Sequence, residues 1–181
     1  VRLSLDAYLD KTRIPLKIDI STGDVITPCE ISFSYQLMFE NRTIPLLAYP
    51  PETVLAEKLE TILSRGEANT RLRDFYDVYI LQREDFVVTP DALRYALLAT
   101  CRTRGHEDLL HTYASILDGV RQSGAMRTQW MKYQTDFDYA AGITWDTVLD
   151  TVETLCMKTL DDHAFGDELP QEESQFEMHL L

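Results

Sequence analysis

PPETVLAEKLETILSR, residues 50–65, is the stretch in which the spacing of apolar residues changes along the chain. Before it, apolar and polar residues alternate, as is typical of β-strands with one covered face. From Pro51 onward the apolar residues recur about every 3.6 positions, as on one face of a helix. Proline suits the first position of a helix because its missing N–H group would have no partner there. The stretch therefore predicts a helix that begins at Pro51 and separates a β region from a helical region.

The alternation before residue 50 predicts four strands, and in the first of them Leu3 and Leu5 belong to a half-buried face. The fourth strand is expected at the edge of a sheet, because Pro45 has no N–H group to donate to a neighbouring strand. The expected strands are residues 1–8, 15–20, 31–37 and 44–49.

Helical spacing continues to residue 160 and predicts further helices, so the fold class is α+β, with a small β-sheet portion followed by a helical bundle. We expect these helices near residues 70–82, 90–101, 109–120, 128–141 and 144–160. The predicted organisation is a β-sheet region at 1–50, a helical domain at 51–160, and an acidic flexible tail at 161–181.

The net charge of −13 would argue against a nucleic-acid partner if it were spread evenly. Residues 161–181 contain seven acidic and no basic residues, so the other 160 residues carry −6. This distribution excludes a general DNA coat protein but leaves room for a local basic pocket. No apolar run is long enough to cross a bilayer, and the charged start does not resemble a secretory signal. We therefore expect a cytoplasmic protein without a membrane partner.

The three cysteines, Cys29, Cys101 and Cys156, lie far apart and form no metal-binding spacing. Their apolar surroundings favour buried free thiols over a zinc site or a disulfide framework.

The segment Lys17–Ile20 places two opposite charges on one face of a predicted strand, because Lys17 and Asp19 are two residues apart. Such a pair next to a turn can hold a metal ion or a phosphate. The alternative is an ion pair with the neighbouring strand on a solvated face.

Two helical segments carry the other candidate residues. Lys58 lies on the rim of the apolar stripe of the first helix, where it can extend into water or bind a triphosphate. In the second helix, Asp74 and Asp77 are within reach of Arg71 and Arg73 at three- and four-residue spacing. This set is either a row of exposed ion pairs or a carboxylate–guanidinium group that faces a pocket.

Together, these three segments resemble the AbiEii/AbiGii toxin family, the polymerase-β-like nucleotidyltransferases of abortive-infection and toxin–antitoxin systems. Residues 71–81 are similar to the family's R-x-K-D-x-x-D-L-x-x-L motif, with Arg73 in place of Lys and Val78 in place of Leu. The resemblance spans about residues 1–160. It implies that residues 1–50 are a partial nucleotidyltransferase β-sheet region and that the helical domain at 51–160 completes the site. It implies Mg²⁺-dependent transfer of a nucleotide from an NTP to an RNA, such as a tRNA, or to a protein hydroxyl, and a cognate antitoxin as a partner.

The resemblance also implies roles for individual residues. Asp19 would be a catalytic residue and a metal ligand, Lys58 would contact the nucleotide phosphates, and Asp74 would be a catalytic or site-ordering carboxylate. The residues expected to bind or support the substrate are Lys17, Arg71, Arg73 and Asp77.

One family element is not found in these 181 residues. The Gly-Ser turn and the Asp-x-Asp pair that follows it would lie before Lys17, but the one Asp-x-Asp sequence is at 136–138, in the helical region. We interpret 136–138 as unrelated to the family motif. We expect that the chain is part of a longer enzyme and is inactive alone. The alternative is a non-catalytic binding or regulatory module derived from the same fold.

Overall fold

The protein is described by a computed structural model that covers residues 1–83 and 88–160. The β region contains four strands, β1 (Arg2–Leu9), β2 (Thr12–Asp19), β3 (Ile31–Gln36) and β4 (Thr43–Ala48). They form two separate antiparallel hairpins, β1 with β2 and β3 with β4. Six helices follow, which confirms the predicted α+β class. The strand β2 begins three residues earlier than expected because Asp10, with φ of 52°, turns the chain directly back along β1.

The six helices are α1 (Pro51–Arg65), α2 (Leu72–Leu81), α3 (Pro90–Arg104), α4 (Leu109–Gln122), α5 (Gly124–Asp136) and α6 (Trp145–Leu160). The fifth helix starts and ends earlier than expected. The Ser123 side chain accepts a hydrogen bond from the Met126 backbone N–H, so it caps α5 four residues before the predicted start. The helix ends because Phe137 has an extended backbone, and a 3₁₀ turn follows at Asp138–Ala140.

The buried apolar core of the described residues lies entirely in the helical region, between Leu55 and Leu160. Its largest fully buried side chains include Trp130 and Phe75. Helix α1 is central because it contacts α2, α3 and α4. The two carboxylates of the candidate site lie on α2, so the packing of α1 against α2 determines where Lys58 points.

The hairpins differ from the prediction of a half-buried face. Leu3 and Leu5 are 45% and 43% exposed, and Phe33 in the second hairpin is 50% exposed. The registers pair Leu3 with Ile18 and Phe33 with Leu46, so each hairpin has an apolar side. The alternation correctly predicts the strands, but among the described residues no second layer covers these sides.

The prediction of buried thiols is wrong for Cys29, which is exposed in the connection between β2 and β3. It is confirmed for Cys101 and Cys156. Burial raises the pKa of the Cys101 thiol to about 12, with a further contribution from Glu60. The apolar neighbours of Cys29 in sequence belong to the exposed β region and not to the core, which is why local composition is misleading there.

Within the described chain, no helix is long and apolar enough to span a membrane. The predicted acidic tail, residues 161–181, lies outside the described residues.

Candidate functional site

Lys58 of α1 contacts two carboxylates of α2. Its Nζ donates hydrogen bonds to Asp74 Oδ1 at 3.2 Å and to Asp77 Oδ2 at 2.5 Å. Asp74 and Asp77 point to the same side of α2 because they are three residues apart. The Lys58 side chain is only 19% exposed and that of Asp74 only 5%. The ammonium group therefore points towards two carboxylates and does not extend into bulk water.

Two arginines flank these carboxylates at the spacing expected from the sequence. Arg71 Nε lies 3.0 Å from Asp74 Oδ2, and Arg73 Nε lies 3.8 Å from Asp77 Oδ2. Both arginine side chains are largely exposed. The contact of Arg71 is an ion pair that lacks hydrogen-bond geometry. The buried Asp74 Oδ2 therefore has no hydrogen-bond partner among the described residues. One oxygen of Asp74 is therefore a buried acceptor that can take a further donor.

The turn before α2 fixes the start of this helix. The fully buried Asn69 accepts a hydrogen bond from the Arg71 backbone N–H through its Oδ1, at 2.7 Å. The Asp74 N–H in turn donates to the Arg71 carbonyl at 3.0 Å. Sequence reasoning did not single out Asn69. The available signal was its position just before a helix, where Asn is a common turn residue.

A cavity of about 770 Å³ opens beside Lys58, Asp74 and Asp77. Its opposite wall comes from α5 and the following turn, and both Arg71 and Arg73 also line it. Asp136 and Phe137 are part of this wall, so two residues of the 136–138 sequence do lie near the candidate site, although this sequence does not follow a Gly-Ser turn. The cavity is the place where a ligand can meet the buried lysine and the carboxylates together.

A second cavity, of about 450 Å³, shares Lys58, Asp74 and Arg71 with the first. Its far side contains Glu60, whose side chain is 3% exposed. Arg104 donates to Glu60, and His106 Nδ1 lies 2.7 Å from the other oxygen of the same carboxylate. No sequence signal connects these groups, because they come together only when the end of α3 packs against α1.

Aromatic side chains form the α5 side of the larger cavity, and sequence reasoning missed them. Ring centroids lie 4.8 Å apart for Tyr76 and Tyr139, and 4.7 Å apart for Tyr133 and Phe137. Burial, followed by the hydrogen bond with Tyr139, raises the pKa of the Tyr133 hydroxyl. Burial, with contributions from Tyr139 and Asp77, also raises the pKa of Tyr76. These hydroxyls therefore stay neutral near physiological pH and act through hydrogen bonds and ring contacts.

Lys17 and Asp19 lie on the first hairpin and line neither of these two cavities. Asp19 accepts hydrogen bonds from Arg2 at 2.6 and 2.8 Å, and this contact lowers the pKa of the Asp19 carboxyl. The structure therefore has the cross-strand ion pair that was one of the two alternatives for this segment. The other five predicted site residues surround the larger cavity, and the chemical roles of all seven stay predictions.

The described residues include no group of three or more His, Cys, Asp or Glu side chains arranged to hold a metal ion. Asp19 has both carboxylate oxygens on Arg2. By themselves, these residues do not form the Mg²⁺ site that the family resemblance implies.

Comparison with models of known protein families matches residues 1–151 to the family described as "Nucleotidyl transferase AbiEii toxin, Type IV TA system". The chain belongs to this family. The AbiEii match includes both hairpins, α1 to α5 and the first part of α6, and it contains all seven predicted site residues. It confirms the resemblance inferred from the three sequence segments. Comparisons with curated proteins and with solved structures found no match.

Proposed function

We propose that this AbiEii chain supplies the phosphate-binding lysine and the proton-accepting carboxylate of a nucleotide-transfer site. The substrate is an NTP, and the acceptor is a hydroxyl group of an RNA, such as a tRNA, or of a protein. The observation that supports this most is the Lys58 ammonium, which is largely buried, shared between two carboxylates and open to a cavity of about 770 Å³.

The proposed reaction needs a fixed positive charge on the polyphosphate and an acceptor for the proton of the attacking hydroxyl. Lys58 provides the positive charge. The buried Asp74 Oδ2 is ion-paired with Arg71 but accepts no hydrogen bond from the described residues, and it is suited to take the proton. The hydroxyl oxygen bonds to the α-phosphorus, the bond between the α-phosphorus and the bridging oxygen breaks, and pyrophosphate leaves. The products are the nucleotidylated acceptor and pyrophosphate.

The charges around Lys58 also explain how a phosphate group can enter. The two carboxylates and the Lys58 ammonium have a combined charge of about −1. The exposed Arg71 and Arg73 add two positive charges, so the whole group is positive. Both guanidinium groups line the same cavity as the lysine and are more exposed than it is. Phosphate and carboxylate oxygens both accept charge-assisted hydrogen bonds from an ammonium group, so the phosphate can compete with Asp77 for the lysine.

Mg²⁺ remains part of the proposal on the strength of the family alone. When bound, such an ion neutralises charge on the phosphate oxygens. Asp19 would be a ligand from this chain, but the described residues bring no complete ligand group to it. The roles of Lys58 and Asp74 stated above do not depend on the ion.

The test is Lys58→Met in the full-length protein, which keeps the aliphatic stem and removes the charge. We expect the protein to lose transfer of labelled NTP to RNA or protein. We also expect its free energy of unfolding in urea to fall by about 1–3 kcal/mol, because Asp74 loses its hydrogen-bond donor. Adding Asp77→Asn should restore part of that stability, because it removes one of the two carboxylates that no longer contact the lysine.

The control is Lys158→Met, which changes an exposed lysine on α6 and should alter neither quantity. Normal turnover in Lys58→Met would contradict the proposed role of the lysine. A full-length wild-type protein that transfers none of the four nucleotides to either acceptor would favour the non-catalytic module.

A further inference from the structure

The aromatic cluster on the α5 side of the larger cavity is held in a fixed geometry. Phe137 and Tyr139 have ring centroids 5.4 Å apart and planes inclined by 31°. The Tyr139 hydroxyl lies 2.9 Å from the Tyr133 hydroxyl, within hydrogen-bond distance. Tyr139 also contacts Tyr76 of α2, which is on the same helix as Asp74 and Asp77. The rings are therefore positioned before any ligand arrives.

Two of these rings remain open to the cavity. Phe137 is 42% exposed and Tyr139 is 50% exposed, although both line a concave surface. An aromatic cluster that only stabilised the fold would gain most by complete burial. Exposed ring faces inside a cavity instead offer a surface on which a flat ligand can stack.

The charges around the rings indicate what else the ligand carries. Lys132 of α5 lines the same cavity and has no ion-pair partner among the described residues. Together with Lys58, Arg71 and Arg73 it gives the cavity four cationic side chains, against the three carboxylates of Asp74, Asp77 and Asp136, so the lining has a net positive charge. A ligand that fits must combine a flat ring with negative charge, and its size must suit about 770 Å³, which is in the usual range for small-molecule sites. Nucleotides have both properties.

We propose that the ring faces of Phe137 and Tyr139 stack a nucleobase whose phosphates extend towards Lys58. This inference rests on the proposed function, and it adds a base-binding surface to the phosphate contact. Stacking on an aromatic ring tolerates any base, because every base has a π-face. The base belongs either to the NTP or to a terminal nucleotide of an RNA acceptor, and both present the same chemistry to the rings.

The experiment measures binding and not turnover, by equilibrium dialysis of the protein with three probes: each NTP, inorganic tripolyphosphate and a short single-stranded RNA. The variant Tyr139→Leu removes the ring from an exposed position, and Tyr139→Phe keeps the ring but loses the hydroxyl contact. Tyr95→Leu changes an exposed tyrosine of α3 that lines none of the described cavities and serves as a matched control.

We expect Tyr139→Leu to bind NTP about 5- to 100-fold more weakly, as for the loss of one base–aromatic stack. Tripolyphosphate binding should not change, and Tyr139→Phe and Tyr95→Leu should bind like the wild type. If only RNA binding weakens in Tyr139→Leu, the proposal holds and the base belongs to the acceptor.

The proposal is overturned if Tyr139→Leu binds NTP and RNA as tightly as the wild type does, if tripolyphosphate binding weakens equally, or if the wild type binds neither NTP nor RNA. The proposed function is tested separately, by nucleotide transfer and not by binding. A protein that stacks a base on Tyr139 but transfers no nucleotide would retain this inference and lose the enzymatic one.

Discussion

Asp74 and Asp77 lie about one turn apart on α2, and their surroundings differ. The side chain of Asp74 is 5% exposed, whereas that of Asp77 is 24% exposed and makes the shorter contact with Lys58. A buried carboxylate interacts more strongly with charges and proton donors because little water screens it. Asp74 is therefore the better candidate for proton transfer, and Asp77 for holding the lysine in place.

We predict that Asp74→Asn in the full-length enzyme lowers the rate of nucleotide transfer by about 100- to 10,000-fold, the usual contribution of a general base. Asp77→Asn should cost less in rate, because a second carboxylate still holds Lys58. Part of its effect should appear as lost stability. Measuring kcat and urea unfolding for both variants checks this, and a larger rate loss for Asp77→Asn would reverse the assignment.

The Tyr133 hydroxyl predicts a pH dependence. Its pKa in the folded protein is raised, mainly by burial, above the unfolded value of about 10. Folding then favours the neutral hydroxyl, so this stabilisation is complete below pH 10 and is lost as pH rises from there towards the folded pKa. We predict that the free energy of unfolding falls above about pH 10 and falls less steeply in Tyr133→Phe. Equal slopes for the two proteins would contradict the prediction.

Sequence reasoning found residues that act within one helix or across adjacent helices. The spacing of Arg71, Asp74 and Asp77 is local, and the position of Lys58 on the rim of its helix is set by a periodicity that the sequence displays. The rings of Tyr133 and Tyr139 could not be found in this way. Phe137 breaks the helix between them, and their contact with Tyr76 joins segments about sixty residues apart.

The C-terminus of α3 shows how a helix end is fixed by one residue. Gly105 has φ of 70° and ψ of 31°, in the left-handed region, and the following His106 N–H donates to the Cys101 carbonyl at 2.9 Å. This arrangement closes the helix by the 6→1 bond that glycine favours. It also directs the chain so that His106 reaches Glu60 of α1.

We predict that Gly105→Ala destabilises the protein by about 1 kcal/mol, from backbone strain alone. A Cβ atom at this position would meet no heavy atom within 4 Å. Gly124→Ala is the matched control, because that glycine also has open space but no positive φ, and it lies in the first turn of α5. It should leave the melting temperature unchanged or raise it slightly. Equal losses in the two variants would show that the left-handed conformation is not the cause.

Helices were easier to predict than the arrangement of strands. The apolar stripe of α1 and the proline at its start were both visible in the sequence. The early start of α5 was not, because the Ser123-Gly124 pair resembles a break between helices until the Met126 N–H is seen to bond to Ser123. Alternation gave the four strands, but it contains no information on which partner each strand takes or what covers its apolar side.

The chain divides unequally between its two regions. Every buried apolar residue of the described core lies in the helical region, whereas both hairpins present apolar sides that are exposed. The connection between the hairpins reaches the helices through Thr27, whose backbone N–H donates to Thr53 Oγ1 at 2.9 Å and whose carbonyl accepts from the same hydroxyl at 3.0 Å. The boundary near residue 50 stays a prediction.

We predict that residues 50–160 unfold cooperatively when produced alone, with a melting temperature only a few degrees below that of the whole chain, because the fragment keeps the entire described core. The lost contact with Thr27 should cost about 1 kcal/mol, which is roughly 2–4 °C for a protein of this size. Residues 1–49 alone should show no cooperative transition, since isolated hairpins are marginally stable. Gradual unfolding of the 50–160 fragment would show that the hairpins are needed for the helical fold.

The aromatic contacts of Trp130 extend from the core to the cavity. Trp130 stacks on Tyr133, which lines the cavity, at 5.3 Å, and lies 5.7 Å from Trp145, the other tryptophan of the sequence. Both indoles are buried, at 1% and 3% exposure. All tryptophan fluorescence of the chain therefore originates from one dry cluster behind the cavity wall. A change in the packing of that wall will alter the colour or intensity of this emission, so the protein carries its own optical reporter of events in the cavity.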